Sequence, residues 1–440
     1  MAMKQTTNIA MKSSMSSALT FSISATSREC GARLGRVQTL HGHFDTPAFM
    51  PVGTRASIKG ILPELVRQTG SQILLNNTYH LLLRPGPELV RTMGGVHRFM
   101  NWNGPILTDS GGYQAYSLAD GNAVDDDGVT FRSHVDGSMV RLTPERAIEV
   151  QNMLGPDIMM AFDDCPPSAR AADQPAPDDD SQDGAARPRA STDPRLAAAV
   201  RRDARKGVYD HEKRLEIANE RTVRWLERCK RAHQRADEQS LFGIVQGGTD
   251  LARRSWCAER IANIDLPGYA IGGVAVGESP QDIARVVRHT APLLPADRPR
   301  YLMGVGYERD LLEAVRAGVD MFDCVLPTRN GRNASAFTRL GQIRLRNAKY
   351  AEDQGPIEAG CDCHACDPGR YGWETPGGAP FTRGYIRHLF MVEEMLGPIL
   401  VTLHNLRHFQ RFMADVRSVV GSDDWTGLVA RWPVAAAPSA

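Results

Sequence analysis

The sequence predicts an α/β fold, a (β/α)8 TIM barrel with a zinc-binding subdomain inserted near its C-terminal end. A strand-like apolar run that ends in polar or glycine residues and leads into a helical pattern recurs eight times along 440 residues. Most of these runs are apolar throughout, as strands of a parallel sheet covered on both faces must be. Three cysteines crowd into the motif CDCHAC at 361–366. A doubly wound open sheet shares the βα alternation and stays open as the alternative at this level.

The runs are AFMPVGT (48–54), QILLNNT (72–78), PILTDSGG (105–112), IMMAFDDC (158–165), LFGIVQGG (241–248), YAIGGVAVG (269–277), RYLMGVG (300–306) and MFDCVLPTR (321–329). Helix-start chemistry lies between them: Thr143-Pro144-Glu145 joins an N-cap, a first-turn proline and an acid, and SPQD at 279–282 resembles a capping box. Gly318 is placed to stop the helix of YERDLLEAVRA. Residues 124–142 alternate and turn at Asp136-Gly137, which predicts an inserted hairpin. Residues 167–206 are rich in Pro, Ala and Asp with few large apolar side chains, and residues 1–20 are similarly poor, so both are expected to be disordered. The barrel domain is placed at 21–435 and the zinc subdomain at 345–410.

Charge and composition narrow the function. With 52 basic against 51 acidic side chains the formal charge is +1, so only a local patch could attract a polyanion. No stretch approaches the roughly 18 apolar residues of a membrane span, and the N-terminus lacks a secretory apolar run, so a cytoplasmic protein is expected. Eight cysteines in so long a chain do not suggest a secreted disulfide framework. Neither a Walker loop nor a GxGxxG at a strand-to-helix junction is present, which argues against nucleoside triphosphate and NAD chemistry.

Cys361, Cys363 and Cys366 form C-x-C-x2-C, and zinc needs a fourth ligand to close a tetrahedral site. His404 in TLHN is the preferred ligand. His364 sits crowded inside the cysteine run, and His388 and His408 compete. Four protein ligands leave no open position, so one structural zinc per chain is expected.

In barrels the chemistry sits where the strands end, and three runs deliver an aspartate there: Asp109, Asp163 and Asp323. Asp109, before Ser110-Gly111-Gly112, could also serve as a helix cap. Asp164 reads better as a solvated or supporting carboxylate. Asp323 lies among apolar neighbours, where an unpaired charge is costly. Tyr113 and Met303 offer flat or polarisable surfaces able to sandwich a base, or plain core packing. From Met321 to Tyr350 there are six basic residues, including Arg329 and Arg332, against the single acid Asp323, a local charge of +5. The patch begins six residues beyond Asp323, so phosphates drawn to it would arrive beside the carboxylates.

The motifs DSGGYQ (109–114), FDDC (162–165), FGIVQGG (242–248), IGGVAVGE (271–278), YLMGVG (301–306), FDCVLPTRNGR (322–332), CDCHAC (361–366) and TLHN (402–405) together resemble the bacterial-type tRNA-guanine transglycosylases, over residues 22 to 415. The resemblance implies a barrel enzyme and a homodimer. Its substrate would be the anticodon loop of a tRNA carrying guanine at the wobble position. It implies Asp323 as nucleophile on the ribose and Asp109 as general acid and base. Asp163, Gln246 and the Gly273 amide would read the base, stacked between Tyr113 and Met303. The stretch GVGYERD, with Gly304 and Asp310, and the stretch TRNGR, with Thr328, Arg329 and Arg332, would contact the tRNA. Cys165 and Val276 resemble the bacterial pattern, which implies 7-aminomethyl-7-deazaguanine as the incoming base in queuosine biosynthesis. About forty extra residues between Cys165 and Trp225 and a Gly/Pro-rich insertion at 367–380 depart from the family pattern. A non-catalytic RNA-binding partner subunit of the same family, which would not need three carboxylates together, is the competing reading.

Overall fold

The computed structural model describes residues 18–117, 123–166, 210–275 and 277–436. Eight parallel strands close into one barrel in chain order: β1 (Ala48–Gly53), β2 (Leu74–Asn76), β3 (Ile106–Thr108), β4 (Ile158–Met160), β5 (Ser240–Val245), β6 (Gly268–Ile271), β7 (Arg300–Leu302) and β8 (Met321–Cys324), with β8 pairing back onto β1. All eight apolar runs thus supply a strand, and closure removes the open-sheet alternative. A closed parallel sheet needs cover on its outer face only, and helices after each strand provide it.

Period-two alternation divides the strands. Met50, Leu75, Leu107, Ile158, Met160, Phe242, Ile244, Ala270, Tyr301 and Met321 fill the interior as one cluster, while residues such as Phe49, Met159, Tyr269 and Phe322 pack outward under the helices. The cluster also takes in Val37 and Phe44 of an antiparallel sheet, Thr20–Thr26, Arg33–Thr39 and Gly42–Thr46, and Leu19 just before it. This sheet closes the end of the barrel where the strands begin: the Asp45 amide donates to Gln72 just before β2, and His41 meets Asp157 just before β4. The opposite end is left for the site.

The helix starts read from the sequence form as expected. The Thr143 side chain accepts from the Arg146 amide, Ser279 accepts from the Asp282 amide, and Gly318 follows the helix Glu308–Arg316 with φ of 99°.

Three boundaries differ from the expectation. Ala18 and Leu19 are buried and a strand begins at Thr20, so the tail ends before residue 18; two apolar residues are too few to stand out in a polar stretch. The insertion at 124–142 is a three-stranded sheet, Ala123–Asp125, Gly128–Arg132 and Met139–Leu142; its second turn holds Asp136-Gly137, and a tight turn before it was hidden by the DDD run. The cysteine-bearing module begins earlier than 345, because Ala334 just before the hairpin Ser335–Thr338/Gly341–Arg344 and Ala336 within it belong to its core with Leu345, Ile357, Leu389 and Val401. The expected disordered stretch at 167–206 and the rest of the N-terminal tail lie outside the described residues.

Phe242 fills the barrel so closely that a Cβ added at Gly268 would sit 2.2 Å from its ring. Gly268→Ala is therefore expected to lower the unfolding free energy by about 1–3 kcal/mol, the usual cost of overpacking a core. Chemical denaturation of both proteins checks it.

Candidate active site

At the open end the interior rows continue to the ends of the strands or just beyond them. Leu75 leads by two to Asn77, Leu107 to Asp109, Ile244 to Gln246, Ala270 to Gly272, Tyr301 to Met303 and Met321 to Asp323, and all six of these residues line one cavity of about 700 Å³. Asp163 breaks the rhythm: Met160 points inward, Phe162 packs outward under Trp225, and Asp163 then turns into the cavity.

Each carboxylate has its own set of donors. Asp323 receives the Tyr301 hydroxyl at 2.6 Å and the Gly304 amide at 2.8 Å, both on Oδ1. Oδ2 receives no hydrogen bond from the described residues. Burial raises the Asp323 carboxyl pKa above its ordinary value while those two hydrogen bonds oppose the shift. Asp109 accepts from the Thr78 amide at 2.8 Å and from the Asn77 side-chain amide, and the Thr78 hydroxyl donates to its carbonyl at 2.5 Å. Burial pushes its carboxyl up to about 7, against the Thr78 amide and with help from the nearby charge of Asp323. Its donors from the preceding βα turn argue against a role confined to capping the helix Gly112–Ser117.

Asp163 receives the Gln246 side-chain amide at 2.6 Å on Oδ2, and burial pushes it up to about 6. Asp164, next along, is clamped outside the cavity by Arg214, Arg221 and Thr222 of the helix His211–Ala232, at 2.5 to 3.2 Å. It is paired and buried, not solvated. Gly273, at φ of 61°, lies against Gln246; a Cβ there would fall 2.2 Å from Gln246 Oε1.

Tyr113, Met303, Gly304, Asp310 and Arg329 line the same cavity. Arg329 is exposed and Arg332 half-buried on the short helix Leu326–Arg332. Thr328 does not reach the cavity: it is buried, with its hydroxyl turned back to the Val325 carbonyl at 3.2 Å. Asp310 pairs with Arg309 at 2.9 Å. Cys165 lines the cavity beside Asp163, whereas Val276 lies outside the described residues.

Sequence reasoning missed Tyr301, Asn77 and Thr78. The signal was present, since Tyr301 stands two before Met303 and Asn77 two beyond Leu75 on inward rows, but a row shows its direction only once the register is known.

A second cluster joins Cys361, Cys363, Cys366 and His404, whose ligand atoms all lie within 4.8 Å of one another. The three sulfurs stand 3.6, 3.3 and 3.6 Å from His404 Nδ1. A tetrahedral metal with sulfur and imidazole ligands would set these distances at about 3.5 Å, so the four residues fit a metal ion. His404 Nε2 meets the Phe337 carbonyl at 2.7 Å, which fixes the ring. The competing histidines are engaged elsewhere: His364 with Gln68 and the Tyr371 ring, His408 with Glu308, and exposed His388 beside Tyr385. His41, His97 and Asp157 also gather, at the closed end. There the two imidazoles stack with centroids 3.6 Å apart and each bonds to Asp157, closer than two ligands of one metal would lie.

The family model described as queuine tRNA-ribosyltransferase matches residues 28–177 and 202–436. The chain belongs to this family. Similar proteins carrying that name include one from Symbiobacterium thermophilum, 48% identical over 89% of this chain and 85% of its own length. One from Pelotomaculum thermopropionicum is 47% identical over 92% and 95%. One from Halalkalibacterium halodurans is 45% identical over 92% and 93%. As a member of the queuine tRNA-ribosyltransferase family the chain is an enzyme, a pentosyltransferase. None of its described helices is long and apolar enough to cross a membrane.

A carboxyl raised by burial stabilises the fold fully below its unfolded value near 3.8, and that contribution is lost as pH rises through about 7. Asp109→Asn is expected to become progressively more stable than the parent from about pH 4 to pH 7 and to hold a constant advantage above it. Denaturation midpoints across pH check the trend; a constant difference would show that Asp109 is not raised.

Proposed function

We propose that the enzyme exchanges the wobble guanine of a tRNA anticodon for 7-aminomethyl-7-deazaguanine, by double displacement through a covalent bond between Asp323 and the ribose. The observation that carries this reading is the meeting of Asp109, Asp163 and Asp323 in one cavity, each held by different donors and each raised by burial. With Tyr301 and Gly304 holding Oδ1, Oδ2 of Asp323 is the oxygen placed to attack the anomeric carbon as the bond from that carbon to guanine breaks. Asp109, near 7, gives its proton to the departing base and takes one from the incoming base, which then displaces Asp323 and restores the configuration. Asp163, Gln246 and the Gly273 amide read the base edge, and Tyr113 and Met303 cover its faces.

A cavity of about 700 Å³ has room for more than one purine, which fits a base presented on its nucleotide. The anticodon loop must splay that base out, at less cost than in a duplex. Gly304, Asp310 and Arg329 of the cavity lining, and Arg332 on the same short helix as Arg329, are assigned to the RNA, with Thr328 holding the helix that carries the two arginines. Cys165 supports a bacterial-type incoming base. Zinc is assigned to Cys361, Cys363, Cys366 and His404 in a closed structural role. The homodimer implied by the family would cover the exposed apolar turn of Met391, Val392, Met395 and Leu396. A cytoplasmic enzyme meeting free tRNA completes the reading.

Labelled guanine is expected to enter unmodified tRNA, and Asp323→Asn to leave tRNA binding but remove both incorporation and the covalent RNA adduct on a denaturing gel. Binding without incorporation by the parent would indicate a partner subunit, and release of base from free nucleosides a hydrolase. Metal analysis is expected to return about one zinc per chain. His404→Ala is expected to lose the zinc and unfold the module around it; a metal-free protein with an unchanged melting profile would remove that assignment.

A further inference from the structure

Arg254, on the helix Leu251–Ala262, is fully buried and stands outside the carboxylate chemistry. A buried guanidinium is costly unless it is paired. No carboxylate among the described residues lies within ion-pair distance of it. Four carbonyl oxygens take that place: Nε donates to Gly248 at 2.8 Å, Nη1 to Val245 at 2.9 Å and to Gly272 at 2.7 Å, and Nη2 to Gly273 at 3.0 Å. These acceptors belong to the ends of two adjacent strands, β5 and β6, which carry Gln246 and Gly273. Burial pulls the guanidinium down to about 10, so it stays charged near neutral pH.

The turns it holds have little stiffness of their own. Gly247, Gly248 and Gly273 have φ of 138°, 57° and 61°. Without side chains, such residues do not set the direction of their peptide groups. A peptide unit is planar and trans, so its carbonyl and its N–H point opposite ways. With the Gly272 carbonyl fixed on Arg254, the Gly273 N–H is directed away from the helix, and Gly273 lines the cavity. The Val245 and Gly248 carbonyls bracket Gln246, whose side chain reaches Asp163.

We propose that Arg254 is a positioning residue for base selection: through the carbonyls of Val245, Gly248, Gly272 and Gly273 it orients the Gly273 amide and Gln246 toward the carbonyl edge of the purine. The inference deepens, and rests on, the base-exchange reading above. It makes purine discrimination depend on a side chain that touches no substrate.

The test uses full-length Arg254→Met and Arg254→Lys in guanine exchange with tRNA, and inhibition by 2-aminopurine, which lacks the carbonyl oxygen. Arg254→Met is expected to raise KM for guanine by about tenfold or more, as for loss of one or two hydrogen bonds, with KM for tRNA nearly unchanged. Preference for guanine over 2-aminopurine should fall by a similar factor. Arg254→Lys, charged but unable to span four acceptors, should fall between, and it decides the matter if the Met variant does not fold. A folded variant with the parent's guanine preference overturns the proposal, as does a parallel rise in both KM values with that preference kept. If the parent itself incorporates no guanine, the base-exchange reading falls and this inference with it; if it does, unchanged preference in the variants removes the inference alone.

Discussion

Asp109, Asp163 and Asp323 share one cavity, with Glu278 and Asp310 also in its lining, and the rest of the site is arranged around the cost of keeping them there. Removing an anion from water is expensive, and a neighbouring anion makes it more so. The structure answers differently for each. Two donors on one oxygen of Asp323 oppose the rise that burial imposes on it, and Asp109, with Asp323 nearby, is raised to about 7. Asp163 is tied to Gln246 and stands beside an Asp164 that two arginines neutralise. One cavity thereby holds three buried carboxyls, each with its own set of donors.

The metal module is continuous with this arrangement. Its ligand His404 lies on the long helix Leu396–Val420, which also sends Asn405 to the Pro327 and Ser335 carbonyls and Gln410 to the Phe49 carbonyl. One helix thus fastens the cysteine loop, the start of the basic segment and the barrel wall. Four protein groups gathered in a largely buried cluster fit a structural part for a metal held there. The Gly/Pro-rich insertion folds back on the module, with Tyr371 stacked on His364 and bonded to the Asp362 carbonyl, so the longer loop keeps the ligands together.

Most of the architecture was legible in the chain because a parallel barrel repeats one local rule. Each strand must be apolar, short and followed by a capped helix, and eight such units leave few other solutions. The site was legible where a charged residue interrupts an apolar run, as Asp109 and Asp323 do. It was illegible where the functional group is one the core also uses: Tyr301 reads as packing, and Asn77 as the close of a strand. Arg254 gave no sign, because in the sequence it is one of two adjacent arginines at the start of a helix and nothing local distinguishes the buried one.

Local chemistry therefore determined the strands, the capped helices, the metal-binding cysteines and the identity of the carboxylates, since each depends on residues within a few positions of one another. Tertiary structure alone decided that the sheet closes, which histidine joins the cysteines, which oxygen of Asp323 is held, and that Thr328 is buried while Arg329 is exposed. Those outcomes depend on contacts between segments far apart in the chain, and on the register and closure that set which way each side chain points.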